Sequence, residues 1–125
     1  MGPEKHFPTD VLARAGALGL GAMYTRDDVG GTGLGRVDSV MIFEALAKGC
    51  PTIAAYISIH NMCCWMIDTY GSADQRAMWC PRLATMETLA SYCLTEPGAG
   101  SDASALATRA VRDGDDYLLT GQKQF

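Results

Sequence analysis

The sequence predicts an α+β chain: an all-α helical bundle over residues 1–89, followed by the start of a β domain over residues 90–125. Three observations carry this. Apolar residues recur at helical spacing through the first part of the chain, and at about Leu89 the texture changes to short apolar runs separated by turn residues. The composition, 48% apolar and 19% charged, is globular and excludes a disordered or collagen-like polymer despite 14 glycines. At 125 residues there is room for one ordinary domain, or for a helical domain and a piece of a second.

Taken in order, helix one is expected from Phe7 to Leu20. Val11, Leu12, Ala15 and Leu18 share its spacing, Pro8 suits a first turn and Gly19 can close it. Thr25 to Gly35, rich in glycine and aspartate and without periodicity, reads as a long, specifically shaped loop. Asp38 can cap helix two, in which Val40, Phe43 and Ala47 share a face, Glu44 and Lys48 pair at i,i+4, and Gly49 ends the run. Helix three follows Pro51 to about Thr69 and is apolar on nearly every face, so neighbours must surround it. Helix four starts after Ser72, with Gln75 at capping-box spacing, and passes Met78, Trp79 and Leu83; Pro81 leaves its course open. Met62, Trp65, Met66, Met78 and Trp79 are read as core.

Beyond Leu89, LASYCLT looks like a buried strand. ALATRAV, the turn Asp113-Gly114-Asp115-Asp116, and YLLT look like a hairpin, with Gly114 free to take a positive φ. GQKQF begins a further extended segment that stops in mid-element. The chain is therefore expected to be a fragment whose missing part begins inside a sheet.

Ten basic and 14 acidic residues give a net charge of −4 with no basic run, which argues against a nucleic-acid partner. The cysteines Cys50, Cys63, Cys64, Cys80 and Cys93 are odd in number, lie in apolar stretches and form no C-x-x-C pair. A disulfide framework or a metal site is not expected, and a reducing compartment fits. The N-terminal MGPEKHFP has no apolar signal core, and His6 stands where a myristoylation motif wants Ser or Thr. Cys50 to Ile67 lacks a charge, but Pro51, Thr52, Ser58, His60 and Asn61 argue for a helix buried in protein and not in a membrane. His60 itself reads as a hydrogen-bonded core residue, since no carboxylate stands at helical spacing to orient it as a catalyst.

The segment that bears on chemistry is Tyr92 to Ala105, YCLTEPGAGSDASA. A strand runs into Thr95, Glu96-Pro97 turns the chain, and Gly98-Ala99-Gly100 leaves backbone with almost no side chains in the way. Such glycines permit positive φ and close approach, and the Ser101 hydroxyl adds a donor, so the loop could hold a phosphate or the polar edge of a flavin. Asp102 is expected to cap the turn that follows. The plainer alternative is that Pro97, Gly98 and Gly100 only make a tight turn. Gly98 to Ala103 also fits the G-x-G-x-x-A dinucleotide fingerprint. That reading needs a helix at once and an acidic residue about 20 positions on, where Lys123 stands, within an alternating β/α chain.

The run CLTEPGAGSDASA, Cys93 to Ala105, resembles the signature of acyl-CoA dehydrogenases. DVGGTGLGR, IFEALAKGCP, AYISIHNMCCWMIDTYGS and GDDYLLTGQKQF extend the resemblance over nearly the whole chain, towards the member that takes a short branched acyl chain in valine catabolism. The resemblance implies a helical N-terminal domain followed by a middle β-barrel-like domain, with FAD between the latter and a C-terminal helical domain absent from this chain. By the same resemblance Tyr92, Cys93, Leu94, Thr95, Glu96, Pro97, Gly98, Ala99, Gly100 and Ser101 would contact FAD. Thr95 would bond the flavin ring, and Ser101 would serve both the FAD phosphates and the acyl-CoA. Phe125 matches the first of a flavin-contacting run, where the family usually has tryptophan. Cys64 and its neighbours would either help shape the acyl pocket or fill the core.

The reaction implied is α,β-dehydrogenation of an acyl thioester, in which a glutamate removes the α proton and the β hydrogen leaves as hydride to the flavin. That glutamate belongs to the C-terminal domain in the family. Glu96 is expected to be a structural or flavin-side residue, Glu44 and Glu87 have no supporting context, and no catalytic base is assigned here. The implied partners are an acyl-CoA, an electron-transfer flavoprotein and further copies in a homotetramer. The implied place is the mitochondrial matrix in a eukaryote or the cytoplasm in a bacterium. Three alternatives stay open: another short-chain acyl-CoA dehydrogenase or acyl-CoA oxidase, a non-catalytic interaction fragment, and a nicotinamide-binding oxidoreductase.

Overall fold

The computed structural model describes residues 7–125, so the reading of MGPEKH concerns residues outside those described. Four α-helices are followed by a two-stranded sheet: α1 (Thr9–Ala17), α2 (Arg36–Gly49), α3 (Pro51–Tyr70), α4 (Ala73–Ala84), β1 (Arg109–Asp113) and β2 (Asp116–Thr120). Single 3-10 turns stand at Asp27–Val29 and Ala103–Ala105. The α+β class expected from the sequence is what the chain adopts. It divides into two compact units, one ending at Ser91 and the other Tyr92–Phe125. No helix among the described residues is long and apolar enough to cross a membrane.

In the helical unit α1 is shorter than expected. Pro8 is its N-cap and not part of its first turn. Gly19 does close it: at φ +79° it lets Gly19 N–H reach Gly16 O and Leu20 N–H reach Ala15 O, the paired bonds of a left-handed helix stop. Helix α2 begins before Asp38, with Gly35 as N-cap. Asp38 still serves the cap from the third helical position, its carboxylate accepting Gly35 N–H at 3.2 Å. The inward face of α2 is Ser39, Ile42, Phe43 and Leu46; Val40 and Ala47 point to solvent. Glu44 and Lys48 pair at 3.4 Å as expected.

Helix α3 is the axis of this unit, packing against both α2 and α4. Its buried positions include Ala54, Ile57, Cys63 and Cys64; Ile57 meets Leu12 and Ala15 of α1 in one apolar cluster, and Cys64 meets Cys80, Leu83 and Ala84 of α4 in another. Helix α4 opens with the capping box read from the sequence, Gln75 N–H to Ser72 Oγ at 3.2 Å and Ser72 N–H to Gln75 Oε1 at 2.8 Å. It runs through Pro81 to Ala84, because Cys80, Leu83 and Ala84 hold the last turn in the core. Met78 and Trp79, expected in the core, lie on the outer face of this helix; Met62, Trp65 and Met66 on α3 are half-buried.

Two polar side chains of α3 and one of α2 shape the loops around them. Asn61 accepts Met23 N–H at 2.6 Å and donates to Leu20 O at 2.7 Å, fixing the chain after α1. Asp68 accepts from the Arg26 backbone N–H and Nε and from Arg76 Nε, and Arg76 reaches on to Asp28 at 2.8 Å. Arg36, at the start of α2, lies over the rings of Tyr24 and Trp65 at 4.0 and 4.7 Å. The long loop is therefore ordered by contacts, as its composition suggested.

The second unit holds the expected hairpin. β1 and β2 pair antiparallel with Val111 opposite Leu118 and Ala110 opposite Leu119, and Gly114 turns the chain at φ +63°. All ten strand residues are exposed. LASYCLT is not a strand. Among the described residues its only ladder-like backbone contact is Gln124 N–H to Thr95 O at 2.8 Å, and a strand requires partners along its length.

Candidate functional site

The candidate site is the bend after Thr95. Glu96 and Ala99 exchange both backbone bonds, Ala99 N–H to Glu96 O at 3.1 Å and Glu96 N–H to Ala99 O at 3.0 Å, so Pro97 and Gly98 form a two-residue tip. Ala99 is buried, while Pro97, Gly98, Gly100 and Ser101 are exposed. Neither Gly98 nor Gly100 uses a positive φ, contrary to the expectation from their type. What they contribute is room: a Cβ on either would meet nothing within 4 Å. Among the described residues the backbone N–H groups of Gly98, Gly100 and Ser101 have no hydrogen-bond partner.

Open backbone donors without overhanging side chains fit a phosphate or the polar edge of a flavin, both of which accept hydrogen bonds from main-chain amides. The Thr95 and Ser101 hydroxyls have no partner among the described residues and add two further donors. Asp102 takes the capping role expected of it, accepting Ser104 N–H at 3.1 Å and the Ser104 hydroxyl at the single turn Ala103–Ala105. That turn is where a nucleotide-binding helix would have to start, so the dinucleotide fingerprint of Gly98 to Ala103 has no structural support.

Glu96 has a different place from its neighbours. Its carboxylate is almost fully buried and accepts Ala107 N–H at 2.7 Å, Thr108 N–H at 3.1 Å and Lys123 Nζ at 2.8 Å. The Lys123 ammonium first, then the bonds from Thr108 and Ala107, hold its pKa down to about 2. Glu96 is thus an anionic tie inside the unit. Lys123, Ala107 and Thr108 were not anticipated from the sequence; the available signal was an acid in the motif and a lone lysine in the closing extended segment.

Of the remaining sequence candidates, Tyr92 and Cys93 are exposed, Leu94 and Thr95 half-buried, and Phe125 fully exposed. The structure brings Thr95 through Ser101 together in one bend. His60 is buried as expected, with both ring nitrogens engaged: Nδ1 accepts Ala90 N–H at 3.1 Å and Nε2 donates to Leu83 O at 2.8 Å. Burial lowers its pKa from 6.5, against the Leu83 bond. Cys64 is fully enclosed, and burial pushes its thiol up to about 12, so it fills the core as a protonated, unreactive group. A separate groove of about 230 Å³ opens between α1, α2 and α3, lined by Val11, Leu18, Leu46, Ile53 and Ile57; it contains none of the sequence-predicted site residues.

The family model described as Acyl-CoA dehydrogenase, N-terminal domain, matches residues 2–87. Two curated proteins, both named isobutyryl-CoA dehydrogenase, mitochondrial, are similar to the chain. The Bos taurus protein is 58% identical over 119 residues, and the Dictyostelium discoideum protein is 54% identical over 122. These alignments take in 95% and 98% of this chain but 29% of each relative, so the chain spans 29% of the length of the curated relatives it matches. Among solved structures, a glutaryl-CoA dehydrogenase from Mycobacterium smegmatis in complex with FADH2 is similar at a TM-score of 0.86 and 31% identity, over 94% of this chain and 30% of that one.

Proposed function

Because the chain belongs to the acyl-CoA dehydrogenase family, we propose that it forms the N-terminal helical domain (1–89) and the start of the middle β domain (90–125) of an FAD-dependent enzyme. The whole protein would introduce an α,β double bond into a short branched acyl-CoA of the isobutyryl-CoA type, a step of valine catabolism. The bend Thr95–Ser101 carries this reading, because it joins the signature order of residues to open, unpaired backbone donors.

In the bound state the N–H groups of Gly98, Gly100 and Ser101 would donate to the anionic edge of the cofactor, with Tyr92 to Leu94 leading into the contact and Phe125 offering an aromatic face. Thr95 would bond the flavin ring through its hydroxyl, and Ser101 would bond both cofactor phosphate and acyl-CoA. The flavin supplies the two-electron acceptor for the hydrogen leaving the β carbon. Neither Glu96, tied to Lys123, nor His60, with both nitrogens engaged, is free to take the α proton. The base lies outside this chain, and the 125 residues alone would be inactive. The whole protein would assemble as a homotetramer and pass electrons to an electron-transfer flavoprotein; it would work in the mitochondrial matrix, in keeping with the word mitochondrial in the names of its curated relatives.

The test is anaerobic titration of the whole protein with isobutyryl-CoA, butyryl-CoA and glutaryl-CoA, following the flavin absorbance. Isobutyryl-CoA is expected to bleach it at the lowest concentration. Purification without flavin would remove the cofactor assignment, and stronger bleaching by either comparator would move the substrate to another acyl class.

A further inference from the structure

We propose that Lys123 is a positioning residue for the bend: by tying Glu96 and Leu94 together it holds the backbone that presents the Gly98, Gly100 and Ser101 amides to a ligand. This rests on the flavin reading above. Lys123 Nζ donates to Glu96 Oε1 at 2.8 Å and to Leu94 O at 3.0 Å, so one ammonium grips the approach to the bend at a side chain and at the main chain. The next residue adds a second grip, Gln124 N–H to Thr95 O at 2.8 Å. From the other side Ala107 and Thr108 donate to the same Glu96 carboxylate. Residues 94, 95 and 96 are therefore each held by a distant segment, whereas the amides of Gly98, Gly100 and Ser101 are held by none among the described residues.

The division of labour follows from chain entropy. Gly98 and Gly100 have no side chains to restrict them, and glycine loses more freedom on ordering than any other residue, so a fixed donor set needs its flanks fixed. Lys123 reaches the bend because Gly121 lets the closing segment run against Thr108. A Cβ on Gly121 would overlap the Thr108 side chain, closer than any side chain permits. The buried end of the pair is Glu96, at 5% side-chain exposure; Lys123 keeps 34%, so its charge can be removed without opening a core.

The test compares Lys123→Met, Lys123→Arg and Glu96→Gln with the unaltered chain by backbone amide hydrogen exchange, with the amides of α3 as the folding control. Lys123→Met is expected to speed exchange of the Glu96, Ala99 and Thr108 amides at least about tenfold with α3 unchanged, and Lys123→Arg to stay within about threefold. Unchanged exchange in Lys123→Met overturns the proposal. Should Lys123→Met lose α3 protection, Glu96→Gln decides by the same amides: faster exchange upholds the tie and unchanged exchange overturns it. In the whole protein Lys123→Met should weaken FAD affinity at least about fivefold, with Lys123→Arg restoring it. Faster exchange with unaltered FAD affinity overturns the positioning role and leaves the flavin reading standing. An unaltered whole protein that holds no FAD overturns that reading, and this proposal's ligand with it.

Discussion

Asp68 accepts bonds from two arginines, buried at 4% side-chain exposure between Arg26 and Arg76. Burial alone would raise its pKa, but the hydrogen bonds from Arg26 and Arg76 outweigh it and hold the group below 3.8. A depressed carboxylate stabilises the fold above its unfolded pKa, and that contribution is lost as pH falls through the folded value. Asp68→Asn should cost about 2–3 kcal/mol at neutral pH in urea unfolding, below the usual value for breaking a buried pair because Arg26 stays open to water. His60 works at a higher pH with the same sign. Its folded pKa lies below 6.5, so the unfolded chain takes up a proton that the folded chain refuses, and stability should fall as pH drops below 6.5. The slope, at most about 1.4 kcal/mol per pH unit, should flatten in His60→Gln, as seen in unfolding midpoints at about pH 7.5 and about pH 5.5. The burial of His60 was legible in the sequence because an imidazole in an apolar helix has few other places to go. Its partners Leu83 and Ala90, and those of Asn61 and Asp68, were not, because contacts between residues far apart in the chain leave no local pattern.

Among the elements, the end of α4 shows what overrides local preference. Met86, the second residue past the helix, stands at φ +56°, where glycine is usual, yet its side chain is buried beside Leu12, Ala15 and Ile57. The left-handed backbone costs a non-glycine residue about 1–2 kcal/mol, while deleting a buried methionine side chain costs about 2–5 kcal/mol, so packing wins. Met86→Gly should therefore lower stability by about 1–3 kcal/mol despite relieving the backbone, read as a shift in urea midpoint at constant slope. Helix existence was legible throughout, because the 3.6-residue period is strong. The phase of α2 was not: Val40 and Ala47 are as apolar as the residues that turn inward, and only the neighbouring α3 decides which side is covered. LASYCLT failed for a related reason, since an apolar run states a wish for burial and not the presence of a partner. At the bend, the openness of Gly98 and Gly100 was legible from their lack of side chains, whereas the Glu96–Lys123 tie was visible only once the closing segment had been folded back.

At the scale of the whole molecule the two units differ in how much they enclose. The helical unit has its own apolar clusters and satisfied polar ties. The hairpin has neither face covered: Val111 and Leu118 stand exposed on one side and Leu119 on the other, with Tyr117 also open. A two-stranded ribbon is at best marginal in water by itself. Its cross-strand amides should exchange at least about a hundredfold faster than those at the centre of α3. Both edges of the ribbon also offer unsatisfied main-chain groups next to aliphatic side chains, a template on which another copy can add. Concentrated solutions of these 125 residues should consequently grow in light scattering with time, and Leu119→Lys should slow that growth while leaving the circular dichroism of the helices intact. Solubility would then be governed by ten strand residues, however well the four helices are built.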